Sequence, residues 1–435
     1  MISRPFLTEL DTRAAVKGSR DPLGIQQIWT QLGRYVVGNL TTVSDSVRDF
    51  TVLLFGYYYA NLLAEELGKD SILSTFLKWE QLAGYARAHC NNDTAFRGTE
   101  RVQKNIAAGH LISISSDRAH QILSNQKVYG LWGLYTVSAR SSGLVKDNPP
   151  RLADVAIELI ENFYLPRAEK VYPTFSRDII KILKAPISRI NIRDSEAPLL
   201  KIIGEQLLSK RLLKKELNFY REHLLMGGPL ETEHTSGRQP QLVELLEETL
   251  NRETFTWSVA EVSSLVENAR NRGESWASTA ECLDMIRVAE TVLGPASLVF
   301  SYLLGLNGKA VRDVVDRMRD LWGSSLELID SDQFKHMCSF LKATDESTKA
   351  LWIKISDTAC NGEYQKLIEL LIEQNTSVMK HRGSMGSWIV IEDGTFKVHF
   401  REEGAGLVPK EQLWKIWRFP YFLDSLRTMA KSLRP

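Results

Sequence analysis

Hydrophobic residues recur at helical spacing along most of the chain. In the segment 25–37, apolar residues at positions 25, 28, 29 and 32 share one face, which predicts a short helix. From Ser46 to about Leu67 the apolar residues cover nearly every face, which is typical of a helix buried on all sides. Ser46 and Asp49 have the spacing of a capping box, so this helix is predicted to begin there. Another helix is predicted from Ser71.

The helical pattern continues through the middle of the chain. The stretch from Arg97 to Gly143 is interrupted by glycines but remains helical in pattern, and its part 131–139 fits either a helix or a strand. One long helix is predicted after Pro150 and another from about Ala197 to Met226. Amphipathic helices of 12 to 20 residues are then predicted to about Lys380. The pattern therefore predicts a mainly α, multidomain protein.

The pattern changes once, near the C-terminus. Residues 387–401 are rich in β-branched and aromatic types around Asp393 and Gly394, and this dipeptide favours the two-residue turn of a β-hairpin. Two strands flanked by helices could form the wing of a winged-helix module or a small α+β cap. A final pair of helices is predicted at 410–417 and 421–433.

Two segments are predicted to separate domains. Residues 141–150 end in two prolines after a polar run, and residues 227–240 have glycine and proline at both ends, as a linker does. The predicted divisions are a helical domain 1–148, a middle helical segment 149–230, a helical domain 231–382 and the hairpin with terminal helices 383–435. Self-similarity at a fixed period is not evident, so a solenoid is not predicted.

Composition is that of an ordinary globular protein. The 435 residues are 43% hydrophobic and 25% charged, with a net charge of +1, so any nucleic-acid surface must be a local patch. The first residues carry charges where a secretory signal needs apolar ones. The most apolar stretch, 50–64, has about 15 residues, fewer than the roughly 20 of a membrane span. Four scattered cysteines (90, 282, 338 and 360) favour free thiols in the cytoplasm.

Local catalytic motifs are absent from the sequence. Gly308-Lys309 is followed by Ala310, where a phosphate loop needs Ser or Thr, and neither a dinucleotide fingerprint nor a serine nucleophile motif occurs. The histidines form no metal-binding pattern, although His110 and His120 could converge across a turn. We therefore predict no cofactor, no metal and no catalytic residue.

Two groups of carboxylates could in principle bind a divalent metal ion. Asp313, Asp316 and Asp320 share a helix face, but arginines interleave with them, which favours a solvated face with local ion pairs. In the hairpin, Glu392 and Asp393 precede the turn and Lys397 follows it. This arrangement leaves a metal-dependent nuclease open as an alternative, although it is common in ordinary hairpins.

Basic residues concentrate in two places, and both are candidate nucleic-acid surfaces. The first would present one face of the predicted helix 197–226 to phosphates, and the second mixes basic with aromatic residues near the C-terminus. A solvated helix face and core packing are the simpler explanations of these two patterns. The candidate residues are Lys210, Arg211, Lys214, Lys215, Arg221, Lys410, Lys415, Arg418 and Arg427.

The segment from Arg13 to Ala64 is dense in unusual residues. It contains Gly18–Gly24, Trp29, Gly33-Arg34, Asn39–Thr42 and Arg48–Phe50. In these residues the chain resembles uncharacterised helical subunits of bacterial antiviral-defence operons. The resemblance implies a subunit of a multiprotein complex and transfers no active site.

These observations favour a non-catalytic interaction or adaptor subunit, with a protein partner in a hetero-complex. It would contact no membrane, and nucleic acid is a possible further partner. Two alternatives stay open. One is an enzyme, such as a metal-dependent nuclease, with a site assembled from residues distant in sequence. The other is a winged-helix-like DNA-binding regulator.

Overall fold

The computed structural model describes residues 21–192, 197–383, 386–400 and 404–434. The charged N-terminal stretch and the predicted turn at Gly18–Arg20 lie outside the described residues. Within them the protein is mainly α-helical, with short two-stranded sheets. The predicted fold class, including a small hairpin near the C-terminus, is confirmed.

The elements of the first half are, in chain order, α1 (Ile25–Arg34), α2 (Val47–Leu67), α3 (Ser71–Asn91), α4 (Thr99–Ala108), β1 (Leu111–Ser115), α5 (Gln126–Tyr129), α6 (Leu131–Ser141), β2 (Val145–Lys146), β3 (Arg151–Leu152), α7 (Asp154–Leu159), α8 (Leu165–Val171), α9 (Phe175–Lys184), β4 (Ile187–Asn191), α10 (Ala197–Ile202) and α11 (Lys214–Tyr220). Three π-helical turns, Ile160–Tyr164, Ile203–Leu207 and Arg221–Leu225, adjoin these helices.

The second half continues with α12 (Glu231–His234), α13 (Arg238–Leu250), α14 (Val259–Asn271), α15 (Ala277–Leu303), α16 (Val311–Trp322), α17 (Ser331–Ser339), α18 (Glu346–Cys360), α19 (Tyr364–His381), β5 (Ile389–Glu392), β6 (Thr395–Val398), α20 (Lys410–Leu413) and α21 (Leu423–Ser432). Single 3₁₀ turns occur at Gly228–Leu230 and Glu274–Trp276.

The chain forms two compact units that are interleaved in sequence. Unit 1 contains the described residues up to Val36 together with Asn251–Tyr421. Unit 2 contains Val37–Leu250 and the C-terminal segment that begins at Phe422. The boundaries predicted at residues 148, 230 and 382 lie inside these units, because each unit combines segments that are distant in sequence.

Unit 2 is built around α2 and α3. Helix α2 begins as predicted, since Ser46 is its N-cap and the Ser46 Oγ accepts a hydrogen bond from the backbone N–H of Asp49 at 3.3 Å. The apolar side chains of α2 are buried on nearly all faces. Aromatic rings from both helices meet in the core: Phe55 and Trp79 have centroids 5.5 Å apart. The prediction of a central buried helix is confirmed.

The predicted long helix from Ala197 to Met226 is wrong. Helix α10 passes into a π-helical turn that ends at Leu207, and the chain is not helical again until Lys214. The break is stabilised locally, because Glu216 accepts a hydrogen bond from the backbone N–H of Leu213 at 2.6 Å. Lys210 and Arg211 therefore lie on a loop rather than on the helix face that carries Lys214.

Two short sheets of unit 2 were missed by the helical pattern. Strand β1 lies in the stretch 97–143 and pairs antiparallel with β4, with Ser113 opposite Arg189. Strands β2 and β3 form a second antiparallel pair. The open choice at 131–139 is resolved as helix α6, and the only other helices in the described stretch 97–143 are α4 and the four-residue α5.

The segment predicted as a linker, 227–240, belongs instead to the core of unit 2. It holds α12 and the start of α13, and Gln239 is fully buried. The Gln239 side-chain amide donates hydrogen bonds to Asn39 Oδ1 at 2.8 Å and to the Leu224 carbonyl at 2.9 Å. A buried amide with several partners fixes its surroundings, so this segment is not a flexible connection.

Unit 1 is organised around the long helix α15, which packs against α14, α17 and α1. The predicted hairpin is confirmed: β5 and β6 are antiparallel, and Asp393 and Gly394 have φ of 49° and 73°. The start of α16 and the residues before it add main-chain bonds to the hairpin, including Val311 N–H to the Gly394 carbonyl at 2.9 Å and Gly308 N–H to the Phe396 carbonyl at 2.7 Å. The terminal pair of helices is shorter than predicted and is divided between the units.

No helix in the described part of the chain is both long enough and apolar enough to cross a membrane. All four cysteines are free thiols. Burial raises the pKa of the Cys90 thiol to about 11 and that of Cys338 to about 12, so both are protonated at neutral pH and are poor nucleophiles.

Candidate ligand-binding cavity

Unit 2 contains a cavity of about 850 Å³ with a charged lining. The start of α2, the end of α3 with the loop that follows it, the 208–213 loop and α21 all contribute to its wall. Its volume lies in the range of small-ligand sites, roughly 300–1,000 Å³. The lining residues are Asp45, Ser46, Val47, Arg48, Asp49, Arg87, Asn92, Asp93, Thr94, Ala95, Phe96, Arg97, Lys210, Leu212, Thr428 and Ser432.

Arg87 of α3 organises one side of the cavity. Its guanidinium donates to Asp49 at 2.5 Å, to Asp93 at 2.7 Å and to the Ala95 carbonyl at 3.1 Å. It also lies 4.9 Å from the centroid of the Phe96 ring. Because a guanidinium offers several donors in one plane, a single buried side chain fixes the loop 92–96 against α2 and α3.

Arg48 of α2 holds a second part of the cavity lining in place. It donates to Glu216 at 2.5 Å and to the backbone carbonyls of Leu207, Ser209 and Arg211. Glu216 also accepts a hydrogen bond from the hydroxyl of Tyr164 at 2.7 Å. The buried Arg48–Glu216 pair therefore holds the non-helical segment 208–213 in place beside the cavity.

The carboxylates of the lining differ in their titration. Burial raises the pKa of Asp49, and the charge of Arg87 opposes that shift. The pKa of Asp93 is lowered: burial acts against ionisation, but the charge of Arg87, a backbone hydrogen bond from Ala95 and the charge of Lys210 outweigh it. Asp45 is exposed and accepts a hydrogen bond from the Tyr135 hydroxyl at 3.0 Å.

A fourth carboxyl lies deeper, outside the main cavity. Glu80 is fully enclosed and accepts hydrogen bonds from the Leu131 N–H and the Gln126 amide, both at 2.7 Å. Burial raises its pKa to about 7. It lines only a small void of about 10 Å³, which has room for about one water molecule. Glu80 does not line the larger cavity, so a ligand there would not contact it.

Two cations of the lining take no part in its hydrogen bonds and ion pairs. Arg97, which is half-buried, and Lys210, which is exposed, have no hydrogen bond or ion pair to any residue in the described ranges. The lining thus combines two arginines that form ion pairs with two cations that form none, although the charge of Lys210 acts through space on Asp93. Arg97 and Lys210 are therefore the cations of the lining that an anion can contact.

Of the first predicted basic set, only Lys210 lines this cavity. Arg211 and Lys214 are exposed nearby in sequence, and Lys215 has its ammonium 5.6 Å from the Phe163 ring centroid. Arg221 lies apart, where its guanidinium donates to the Leu433 carbonyl at 2.9 Å. The five residues do not form one helix face, because the helix breaks between Leu208 and Leu213.

The second predicted basic set has mostly structural contacts. Lys410 forms an ion pair with Glu327 at 2.7 Å, and burial lowers the pKa of Arg418, whose N–H donates to Glu290. Arg427 donates to the Thr249 carbonyl at 2.9 Å within unit 2. Lys415 is exposed in unit 1. These residues are therefore not brought together as one surface of a single unit.

Among the described residues, no group of three or more His, Cys, Asp and Glu side chains could hold a metal ion. In the hairpin, Glu392 forms an ion pair with Lys397 at 3.0 Å. On α16, Asp316 pairs with Arg319 at 3.3 Å, as expected for a solvated face with local ion pairs.

Sequence analysis did not identify the principal residues of the cavity. Arg48, Asp49, Arg87 and Asp93 belong to no motif, because their meeting depends on the packing of α2 against α3. One signal was visible: Arg48 and Asp49 interrupt the start of a helix that is otherwise apolar on all sides. Charges in such a helix must be paired when buried, which marks them as a network.

Comparison with known proteins identifies no relative of this chain. No family model matches the chain, and no curated protein or solved structure matches it.

Proposed function

We propose that this protein is a non-catalytic interaction subunit that contacts nucleic acid through the segment from Lys210 to Lys215 in unit 2. We name this segment the basic loop. It contains four basic residues, Lys210, Arg211, Lys214 and Lys215, whose side chains are exposed. This local concentration of cations in a chain of balanced charge is the observation that carries the proposal.

The neutralisation of the nearest acid supports this proposal. Glu216 follows the basic loop directly, but it is buried and paired with Arg48. Its charge is therefore not available to cancel the exposed cations. Contacts between lysines or arginines and phosphates release counterions, which supplies sequence-independent affinity for nucleic acid.

The wider setting of this function is part of the same proposal. The resemblance of the segment 13–64 favours a place in a bacterial antiviral-defence complex, where the chain would act beside a protein partner. Four free thiols fit a reducing cytoplasm. A role in binding and assembly also agrees with a cavity whose buried carboxyl groups are held by hydrogen bonds and arginines.

The proposal is tested by fluorescence anisotropy with a labelled single strand of about 20 nucleotides, longer than one typical single-strand site. We expect the wild type to bind, with affinity that falls steeply as salt rises. Replacing all four basic residues of the loop by Ala should weaken binding at least about tenfold at roughly 0.1 M salt. The logarithmic salt slope should fall by about 3, since each lost contact removes about 0.7.

The matched control removes the same charge from unit 1. Lys335, Lys354, Lys366 and Lys380 are exposed on α17, α18 and α19, and their combined replacement by Ala should leave affinity and salt slope nearly unchanged. Equal weakening in the two variants would show only a general effect of net charge and would overturn the assignment. Absence of binding to single and double strands at low salt would overturn the function itself.

A further inference from the structure

The cavity beside the basic loop is lined in part by buried residues and has room for a ligand of nucleotide size. The floor is formed by Arg48, Asp49 and Arg87, whose charged groups are satisfied by buried partners. These residues belong to α2 and α3, which pack against each other, so a strand that enters the cavity cannot continue between the two helices. The space therefore suits the end of a chain or a small molecule better than the middle of a continuous strand.

Two cations of the lining are available to an anionic ligand. Arg48 and Arg87 form ion pairs with Glu216, Asp49 and Asp93, whereas Arg97 and Lys210 form neither an ion pair nor a hydrogen bond with a described residue. Both can contact the non-bridging oxygens of a phosphate monoester, which carries about −1.5 to −2 charges at neutral pH. A monoester offers three such oxygens, whereas an internal phosphodiester offers two.

The hydroxyl groups of the lining add neutral donors. Thr94 and Thr428 line the cavity, and their hydroxyls have no hydrogen-bond partner among the described residues. Each can donate to a non-bridging phosphate oxygen. The start of α2 does not supply the anion site, since Ser46 already accepts a hydrogen bond from the Asp49 N–H and two aspartates lie there.

Asp45 would determine which end of the ligand lies beside it in the cavity. Its exposed carboxylate would repel a phosphate but can accept a hydrogen bond from a sugar hydroxyl or a base amino group. A ligand with an anionic end and a donor-rich end can satisfy both parts of the lining. A nucleotide has both ends.

From this geometry we infer that the cavity binds a terminal phosphate monoester, with Arg97 and Lys210 holding the phosphate and Asp45 accepting a hydrogen bond from the attached nucleoside. The inference rests on the proposed function for its main source of ligand, a phosphorylated strand end. A free nucleoside monophosphate presents the same chemistry.

The experiment compares strands of one sequence that differ only at their ends: 5′-phosphorylated, 3′-phosphorylated, hydroxyl-ended and closed into a circle. We expect at least one phosphorylated strand to bind about tenfold or more tightly than the hydroxyl-ended strand and the circle. Arg97→Gln should remove this difference, and Arg97→Lys should restore part of it. Each variant should still bind the circle through the basic loop, and this binding shows that the variants fold.

A competition experiment separates the two sources of the monoester. Adenosine monophosphate that displaces the phosphorylated strand, where adenosine does not, extends the site to free nucleotides. Failure of both to compete, with the Arg97-dependent preference intact, assigns the site to strand ends.

Equal binding of circular and phosphorylated strands would overturn this inference and leave the proposed function standing. The opposite failure is also distinguishable. If the circle does not bind but a phosphorylated ligand does so through Arg97, the basic loop is not a nucleic-acid surface and the cavity assignment holds. Binding of no strand and no nucleotide would overturn both.

Discussion

The cavity lining of unit 2 and helix α15 of unit 1 bury charged groups in opposite ways. In unit 2, Arg87 is 4% exposed and forms ion pairs with Asp49 and Asp93. In unit 1, Glu290 of α15 is also buried, but it forms no ion pair with any described residue. It accepts hydrogen bonds from the Arg418 N–H at 2.6 Å and the Tyr421 hydroxyl at 2.9 Å. Burial raises the pKa of Glu290 to about 8, so it is mostly neutral at pH 7.

This difference between a neutral buried carboxyl and ion-paired buried arginines indicates which region can hold a ligand. A buried carboxyl that stays protonated needs no charged partner and fixes one local contact. Paired arginines cost more to desolvate, but their several donors each fix a separate segment of chain. Unit 2 uses two such arginines to hold the loops around its cavity, and this is why the charged lining can keep its shape without a ligand.

The largest expected effect comes from breaking the network in unit 2. Arg87→Met should lower the free energy of unfolding of unit 2 by about 3–5 kcal/mol, since it leaves Asp49 buried without its cation. The loss should be smaller at pH 5 than at pH 8, because the carboxyl, whose pKa burial already raises, takes up a proton. Urea unfolding with hydrogen exchange of α2 and α3 measures this.

A double variant provides the control for that result. Arg87→Met with Asp49→Asn removes both members of the pair, so it should recover part of the loss. A double variant no more stable than Arg87→Met would show that the cost comes from packing and not from the unpaired charge.

An intermediate and pH-dependent effect is expected in unit 1 for Glu290→Gln. The folded pKa of Glu290 is about 8, above its unfolded value near 4.5, so its contribution is full below pH 4.5 and is lost as pH rises to about 8. At pH 4, where the carboxyl is neutral in both the folded and the unfolded chain, the variant should be less stable by about 1 kcal/mol, through weaker hydrogen bonds. At pH 9 it should be more stable than the wild type, which then buries a charge.

Urea unfolding across pH 4–9, followed by hydrogen exchange of α15, checks the Glu290→Gln prediction. The wild type should lose stability with rising pH in this window, and the variant should show a flatter profile. The same stability difference at every pH would mean that Glu290 is already ionised at pH 6.

The smallest expected effects concern two equivalent N-caps. Ser46 caps α2 in unit 2 and Ser258 caps α14 in unit 1, with hydroxyl-to-amide distances of 3.3 and 3.2 Å. Ser46→Ala and Ser258→Ala should each cost about 1 kcal/mol, because each leaves a backbone N–H without its acceptor. Hydrogen exchange in the first turn of each helix measures the loss. A much larger loss at Ser46 would show that the cavity wall depends on this cap.

The sequence predicted those parts of the fold that local spacing determines. The bounds of α2 followed from a cap and a continuous apolar run, and the hairpin followed from Asp393-Gly394. The sheet β1–β4 could not be found in this way, because its five-residue strands are far apart in the chain and neither has a turn signal. The break at 208–213 was missed for a related reason: it is stabilised by Arg48, which lies far away in sequence.

The candidate cavity was predictable only at one residue. Lys210 was identified because it belongs to a run of basic residues, which needs no knowledge of packing. Arg97 is an ordinary isolated arginine in sequence, and its place in the same lining as the buried ion pairs follows from the packing of the chain around α2 and α3. Local sequence patterns thus identified the exposed charge of Lys210. They did not identify the buried ion pairs that line the same cavity.

The interleaving of the two units has a consequence for synthesis on the ribosome. Helix α21 belongs to unit 2, yet it is translated after all of Asn251–Tyr421, which belongs to unit 1. The buried residues Leu423, Leu426 and Met429 therefore reach the core of unit 2 last. Nascent unit 2 must wait with part of its apolar core uncovered, which exposes it to aggregation and to chaperones during translation. A premature stop codon near the 3′ end of the message would leave this core permanently open.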